Sequence, residues 1–220
     1  EKTERHHFEF LMLEWYRAHA QLSQIKHDVI ELIEYLCDQH RIERPKEVLT
    51  FTIPELFKKH CGFEIKPTTS LEELKTLANA LGVDVQSAQT IDDYFFLIFM
   101  EKIEFQWPAD RLVFVEKYPP YQAALARIGS DGWAERFEAY WQGLELANAF
   151  HELNDPHVQR QRSLEDLEKK KAMGKPIVGL DEEFFKALEF GMPPSSGIAL
   201  GVERLYMAMK KIKDIHTIQK

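Results

Sequence analysis

From Phe8 to Tyr16 the chain alternates, with Phe8, Phe10, Met12, Glu14 and Tyr16 at even positions and Glu9, Leu11, Leu13 and Trp15 between them. A period of two places the first set on one face of a strand, predicted over 8–16. The period then changes. Leu22, Ile25, Val29, Leu32, Ile33 and Leu36 recur at helical spacing, which predicts a long amphipathic helix ending near Arg41, with Pro45 beyond it. Short elements with polar turns between Pro45 and Pro108 predict a small helical insertion, 45–108. Within it, Ser70 to Glu73 reads as a capping box opening a helix through Leu71, Leu74, Leu77 and Leu81, with Gly82 as its stop. Residues 92–105 predict a second, buried helix.

Beyond the insertion, Leu112-Val-Phe-Val115 bounded by charge predicts a strand over 111–116, ended by Tyr118-Pro119-Pro120. Residues 135–142 and 144–152 predict a strand pair around Gly143. Charged residues from Arg160 to Lys171 make a solvated helix, and Asp181 caps a shorter one that ends at Gly191. Small apolar residues from Gly197 to Val202 then run straight into an amphipathic helix from Glu203 to about Met209. Strands with antiparallel-type connections and helices between them predict an α+β domain on a mostly antiparallel sheet flanked by helices. A doubly wound parallel sheet is disfavoured, and the Gly-x-Gly-x-x-Gly and P-loop patterns are absent.

Composition narrows the classes. A chain of 220 residues suggests one domain, or one with an insertion. Its 28 Lys and Arg stand against 36 Asp and Glu, a formal net charge of −8 that argues against a nucleic-acid coat protein but leaves a local basic patch open. Cys37 and Cys61 form no disulfide framework or zinc pattern and read as buried small hydrophobes. The apolar run near Phe95 to Met100 is too short for a membrane span and no signal peptide opens the chain, so a reducing cytoplasm is expected. Glu rather than Met at position 1 leads us to expect that the sequence begins inside a longer gene product.

Three places could carry chemistry. Glu14 and Tyr16 close an otherwise apolar strand face, which is either a strand leaving the core or something other than core. From Glu138 through Glu145 to Glu152, acids and Asn148 sit among Leu, Phe and aromatics, with Asn148, Phe150 and Glu152 on one face. Buried acids need a metal ion, an ammonium group or an arginine. Glu138 and Glu145 are therefore either Mg²⁺ ligands or halves of structural salt bridges. Gly197 and Gly201 let a backbone approach something closely, and Arg204 follows on a first helical turn, where it opposes the helix dipole and calls for an anion. A triphosphate would serve, as would Glu203 or another surface acid. His6, His7, His151 and His157 fit no zinc spacing and read as exposed structural or solvated residues.

Three segments together carry a resemblance. Arg5-His-His-Phe-Glu-Phe-Leu-Met-Leu-Glu-Trp-Tyr16 resembles the second half of motif 2 of class II lysyl-tRNA synthetases. Leu144-Glu-Leu-Ala-Asn-Ala-Phe-His-Glu-Leu-Asn-Asp155 looks like their amino-acid pocket strand, and Gly197 to Arg204 is similar to motif 3. Tyr118 to Ala126 and Ala134 to Glu138 extend the likeness, within that group, toward the truncated paralogs that ligate β-lysine to elongation factor P. The segment His6-His7-Phe8-Glu9-Phe10 departs from the family's His-Asn-Pro-Glu-Phe. Motif 1 and the motif 2 arginine, expected shortly before Glu1, are not in the sequence, so the catalytic domain expected over 1–220 is N-terminally incomplete.

The resemblance implies a function and a site. ATP and Mg²⁺ would activate lysine or β-lysine as an adenylate, for transfer to a lysine of elongation factor P. The alternatives are a synthetase fragment that charges tRNA and a noncatalytic binding paralog. His6, Phe10, Glu145 and Arg204 would bind ATP, with Phe10 on adenine, His6 near the phosphates and Arg204 the catalytic arginine on the distal phosphates. Glu138 and Glu145 would hold magnesium. Glu14, Tyr16, Asn148, Phe150, Glu152 and Ala199 would line the amino-acid pocket. Ala199 stands where lysyl-tRNA synthetases carry glycine and the paralogs alanine, and its methyl would favour a displaced amino group. A homodimer without membrane association is expected.

Overall fold

A computed structural model describes Glu4 and residues 7–104 and 106–218. One six-stranded sheet organises the chain, in the order β1-β6-β5-β4-β3-β2. Its strands are β1 (Met12–Ala18), β2 (Val48–Thr52), β3 (Leu112–Tyr118), β4 (Ala134–Trp141), β5 (Leu144–His151) and β6 (Ser195–Gly201). All neighbours are antiparallel except β2 and β3, which run parallel. The tight β4–β5 hairpin holds Gln142 at φ 52° and Gly143 at φ 72°, the left-handed pair that a two-residue turn requires.

Alternation sends each strand's residues to two cores. On one face Phe114, Phe137, Ala149, Ile198 and Leu200 pack beneath α1 (Leu22–His40) and α7 (Val202–Lys210). Ile25, Val29, Ile33 and Cys37 form the buried stripe of α1. On the other face Val113, Val115 and Tyr140 meet α2 (Ile53–Cys61), α3 (Leu71–Leu81) and α4 (Ile91–Ile98) through Phe57, Leu74 and Phe95. These helices cover only the β2–β4 half. Over β1, β6 and β5 the second face lies open, with Met12 and Tyr16 exposed on it. Beyond β5, α5 (Pro156–Ala172) packs on α6 (Glu182–Phe190), tied by the Arg160–Glu182 ion pair.

Several expectations shift in extent. The strand expected over 8–16 is Met12–Ala18, because pairing with β6 ends at Met12↔Gly201, where the chain turns into α7. Phe8 and Phe10 therefore precede the strand, although Leu11 stays docked: its carbonyl accepts from Val202 N–H at 3.0 Å and its N–H donates to the Glu203 carboxylate at 2.9 Å. The segment 45–108 is not wholly helical, since β2 joins the sheet edge through its β-branched Val48 and Thr50. The helix expected over 92–105 starts one residue earlier, capped by Thr90, and changes at Phe99–Ile103 into a π-helical turn; Phe105 lies outside the described residues. Among the described residues no helix is long and apolar enough to cross a membrane.

Candidate active site on the open half of the sheet

Register alone assembles most of the candidate residues. Glu14, Ala199, Asn148 and Glu138 form one row across β1, β6, β5 and β4. Tyr16, Gly197, Phe150 and Arg136 form the next. Glu145 has the wrong parity to share a face with Asn148, and a bulge corrects it. Tyr140 pairs with Glu145 and Ala139 with Ala147, so Leu146 is an extra residue on β5, and both Leu146 and Ala147 enter the first core. Glu145 thereby turns to the open face.

Two cavities lie side by side there. One, of about 340 Å³, is lined by Phe10, Met12, Asn148, Phe150 and Ala199, with His7 at its edge. The other, of about 310 Å³, is lined by Phe96, Phe99, Met100, Arg136 and Glu138. Glu145 and Arg204 line both and form the partition. Arg204, on the first turn of α7, donates to the Glu145 carbonyl at 3.0 Å and lies 3.5 Å from its carboxylate. Glu145 is thus one acid partner of Arg204. The Glu203 carboxylate accepts from the Leu11 N–H.

The carboxylates differ in how they are compensated. Glu138 is held by Arg136, by the Tyr118 hydroxyl at 2.5 Å and by the Tyr140 hydroxyl. Burial, reinforced by Glu138, pushes the Glu145 carboxyl up to about 7 despite Arg204. Glu152 is only 8% exposed, and its carboxylate has no hydrogen-bond or ion-pair partner among the described residues. Burial pushes it up to about 7 as well. A desolvated carboxylate with no internal cation is stabilised by holding a proton or by an external cation.

Gly197 sets the floor beneath it. A Cβ there would stand 2.5 Å from both Glu152 Oε1 and Tyr16 Cε1, so only glycine lets these side chains converge. Burial, then Glu152, then Glu14 push the Tyr16 phenol up, which places both acids in electrostatic reach of one ring. Tyr16 and Glu152 thus converge over Gly197, while Glu14, two positions before Tyr16 on the same strand face, is exposed.

As for magnesium, no cluster of three His, Cys, Asp or Glu among the described residues would hold an ion by itself. Glu138 and Glu145 reach the same cavity, and two carboxylates completed by phosphate oxygens are the usual setting for this ion. The undercompensated Glu145 fits such a group; Glu138 already serves as half of a salt bridge.

Other candidates resolve singly. His6 lies outside the described residues, while His7, its ring 5.3 Å from that of His216, reaches the cavity. His151 is buried against Glu135 at 3.0 Å rather than exposed; His157 is exposed. Cys37 is buried and Cys61 half-buried, its thiol pushed up to about 11 by burial. Sequence reasoning missed Arg136, Tyr118 and Tyr140. Arg136 and Tyr140 each stand two positions from Glu138 on β4, so the same alternation that exposes the acid also points to them.

A mostly antiparallel sheet, a strand–glycine–helix turn carrying an arginine, and acids on its open face define a class II synthetase-type domain. The family of class II tRNA synthetases (D, K and N) matches residues 1–220, and the chain belongs to it. Among individual proteins, the chain is 35% identical over 206 residues to the elongation factor P–(R)-β-lysine ligase of Hamiltonella defensa subsp. Acyrthosiphon pisum, covering 92% of this chain and 61% of that protein. The ligase of the same name from Enterobacter sp. (strain 638) is 37% identical over 213 residues, 94% of this chain and 63% of its own length. That of Avibacterium paragallinarum is 34% identical over 220 residues, 99% and 66%. The chain thus spans roughly three fifths to two thirds of the length of the curated relatives it matches.

Proposed function

We propose that this domain activates lysine or β-lysine with ATP as an aminoacyl-adenylate and transfers it to a lysine of elongation factor P. The observation that carries this reading is Glu152, a buried carboxylate without a cation partner among the described residues, converging with Tyr16 over Gly197, with Glu14 on the same face of β1. A substrate with two ammonium groups answers two acids. Asn148, Phe150 and Ala199 line the adjoining cavity, in the sheet rows next to those acids, and the Ala199 methyl would narrow it by an increment worth about 1 to 3 kcal/mol in selectivity.

Phe10, which lines the cavity, offers a stacking face for adenine, and the family resemblance alone assigns His6 to the phosphates. Arg204 serves as the catalytic arginine on the distal phosphates, where its guanidinium neutralises charge that develops as pyrophosphate leaves. Glu145 and Glu138 would hold magnesium, which would supply further charge neutralisation to the triphosphate. The chain performs no covalent chemistry itself; it aligns the substrate carboxylate for attack on the α-phosphorus and excludes water. An acceptor amine then attacks the mixed anhydride and releases AMP. In this account residues 1–220 act as one cytoplasmic catalytic domain, with 45–108 as a segment inserted in it, and function as a homodimer.

The test is ATP–pyrophosphate exchange by the full-length protein with α-lysine and β-lysine, followed by transfer to elongation factor P or to tRNA. Exchange followed by transfer to the factor is expected. Strong charging of tRNA, or no exchange with either isomer, contradicts the reading.

A further inference from the structure

Arg136 lies in the second row of the open face with its side chain only 7% exposed. One guanidinium joins three parts of the site. Nη1 donates to the Gln122 carbonyl at 2.7 Å; Nη2 donates to the Glu138 carboxylate and, at 3.0 Å, to Asn148 Oδ1. Its Cζ lies 4.3 Å from the Tyr118 ring centroid and 5.4 Å from that of Phe150. Nε has no partner among the described residues, so the group is held by its two outer nitrogens and its stacking.

The chemistry of this contact fixes an orientation. A guanidinium only donates, so Asn148 must turn its oxygen toward Arg136. The amide nitrogen is then left over, without a partner among the described residues, on a side chain that lines the cavity beside Phe150 and Ala199. An N–H₂ group there selects an oxygen rather than an ammonium. We propose that Arg136 is a positioning residue for the amino-acid substrate: it locks Asn148 with Nδ2 toward the cavity as the donor to the substrate carboxylate. The same guanidinium braces Phe150. This inference rests on the amino-acid pocket proposed above.

Isothermal titration of the full-length protein with lysine or β-lysine and with the corresponding amide, which lacks the carboxylate, tests it. In Asn148→Asp the new carboxylate keeps the Arg136 contact but repels the substrate carboxylate, so the acid should bind about tenfold more weakly while the amide is unaffected. Arg136→Met frees Asn148 to flip and should lose the same acid-over-amide preference; Arg136→Lys should restore part of it. The double variant should lose no more preference than either single one. A merely structural Arg136 would weaken both ligands equally and lower Tm. An unchanged acid-to-amide ratio in Arg136→Met and Asn148→Asp overturns the inference; if Arg136→Met does not fold, Arg136→Lys and Asn148→Asp decide. Should the unsubstituted protein bind neither ligand, the pocket reading itself fails, and this inference with it.

Discussion

The second face of the sheet divides into two halves made by the same alternation and finished differently. Over β2–β4, Val113 and Val115 meet the aromatic cluster of α2 and α4, where Phe57 and Phe95 stack at 5.4 Å. Over β1, β6 and β5 nothing in the described chain covers Met12, Glu14 and Tyr16. Helices seal the first half into a core. The second half keeps exposed apolar side chains next to Glu152, which no cation of the described residues neutralises, an arrangement that adds little to stability and makes sense as a binding surface. Tyr140 and Glu138 mark the boundary, where a core tyrosine donates to a site carboxylate.

Substitutions should therefore separate along that boundary. Phe57→Ala, in the sealed half, should cost about 3–5 kcal/mol of stability, read as a lower Tm or denaturant midpoint, while the protein that remains folded keeps its ligand affinity. Glu152→Gln, in the open half, should do the reverse. Removing a buried carboxylate that a cationic ligand completes should weaken lysine binding by roughly 100-fold or more, with ligand-free stability unchanged or raised. Gly197→Ala should drive Tyr16 and Glu152 apart and raise the KM for the amino acid about tenfold, with a smaller loss of Tm because the Tyr16 ring is free to swing outward. Ala199→Gly should shift only the preference between α-lysine and β-lysine, by about 1 to 3 kcal/mol at most, as read from the ratio of their kcat/KM values.

The open half should also show in the pH dependence of stability. Glu152 is raised to about 7 in the folded chain from an ordinary 4.5, so between these values the folded state holds the proton more tightly than the unfolded one. Its contribution is fully present below the ordinary carboxylate range and is lost as the pH rises through about 7. Thermal unfolding of the ligand-free protein should accordingly occur at lower temperature on the alkaline side, and Glu152→Gln should flatten that slope.

The parts legible in the sequence are those governed by neighbours in the chain. The Ser70–Glu73 capping box, the Asp181 cap and the turn at Gly143 form where expected because their hydrogen bonds and φ values are local. The edge strand β2 escaped because its partner β3 lies some sixty residues away and parallel pairing leaves no turn to read. Strict alternation separates Glu145 from Asn148, and only the bulge at Leu146 reunites them. His151 looked like a surface residue because its partner Glu135 comes from the neighbouring strand β4. The acids of the site were visible as misfits among apolar residues, whereas the degree of their compensation, full for Glu138 and absent for Glu152, depends on tertiary neighbours.

Binding of lysine and of norleucine, its isostere without the side-chain ammonium, measured on the full-length protein from about pH 5 to about pH 8, bears most directly on the central claim. Lysine should bind far more tightly, with an affinity that rises through a midpoint near 7 as Glu152 ionises, while norleucine binds weakly and without that midpoint. Equal affinity for the two, or a flat pH profile for lysine, would contradict it.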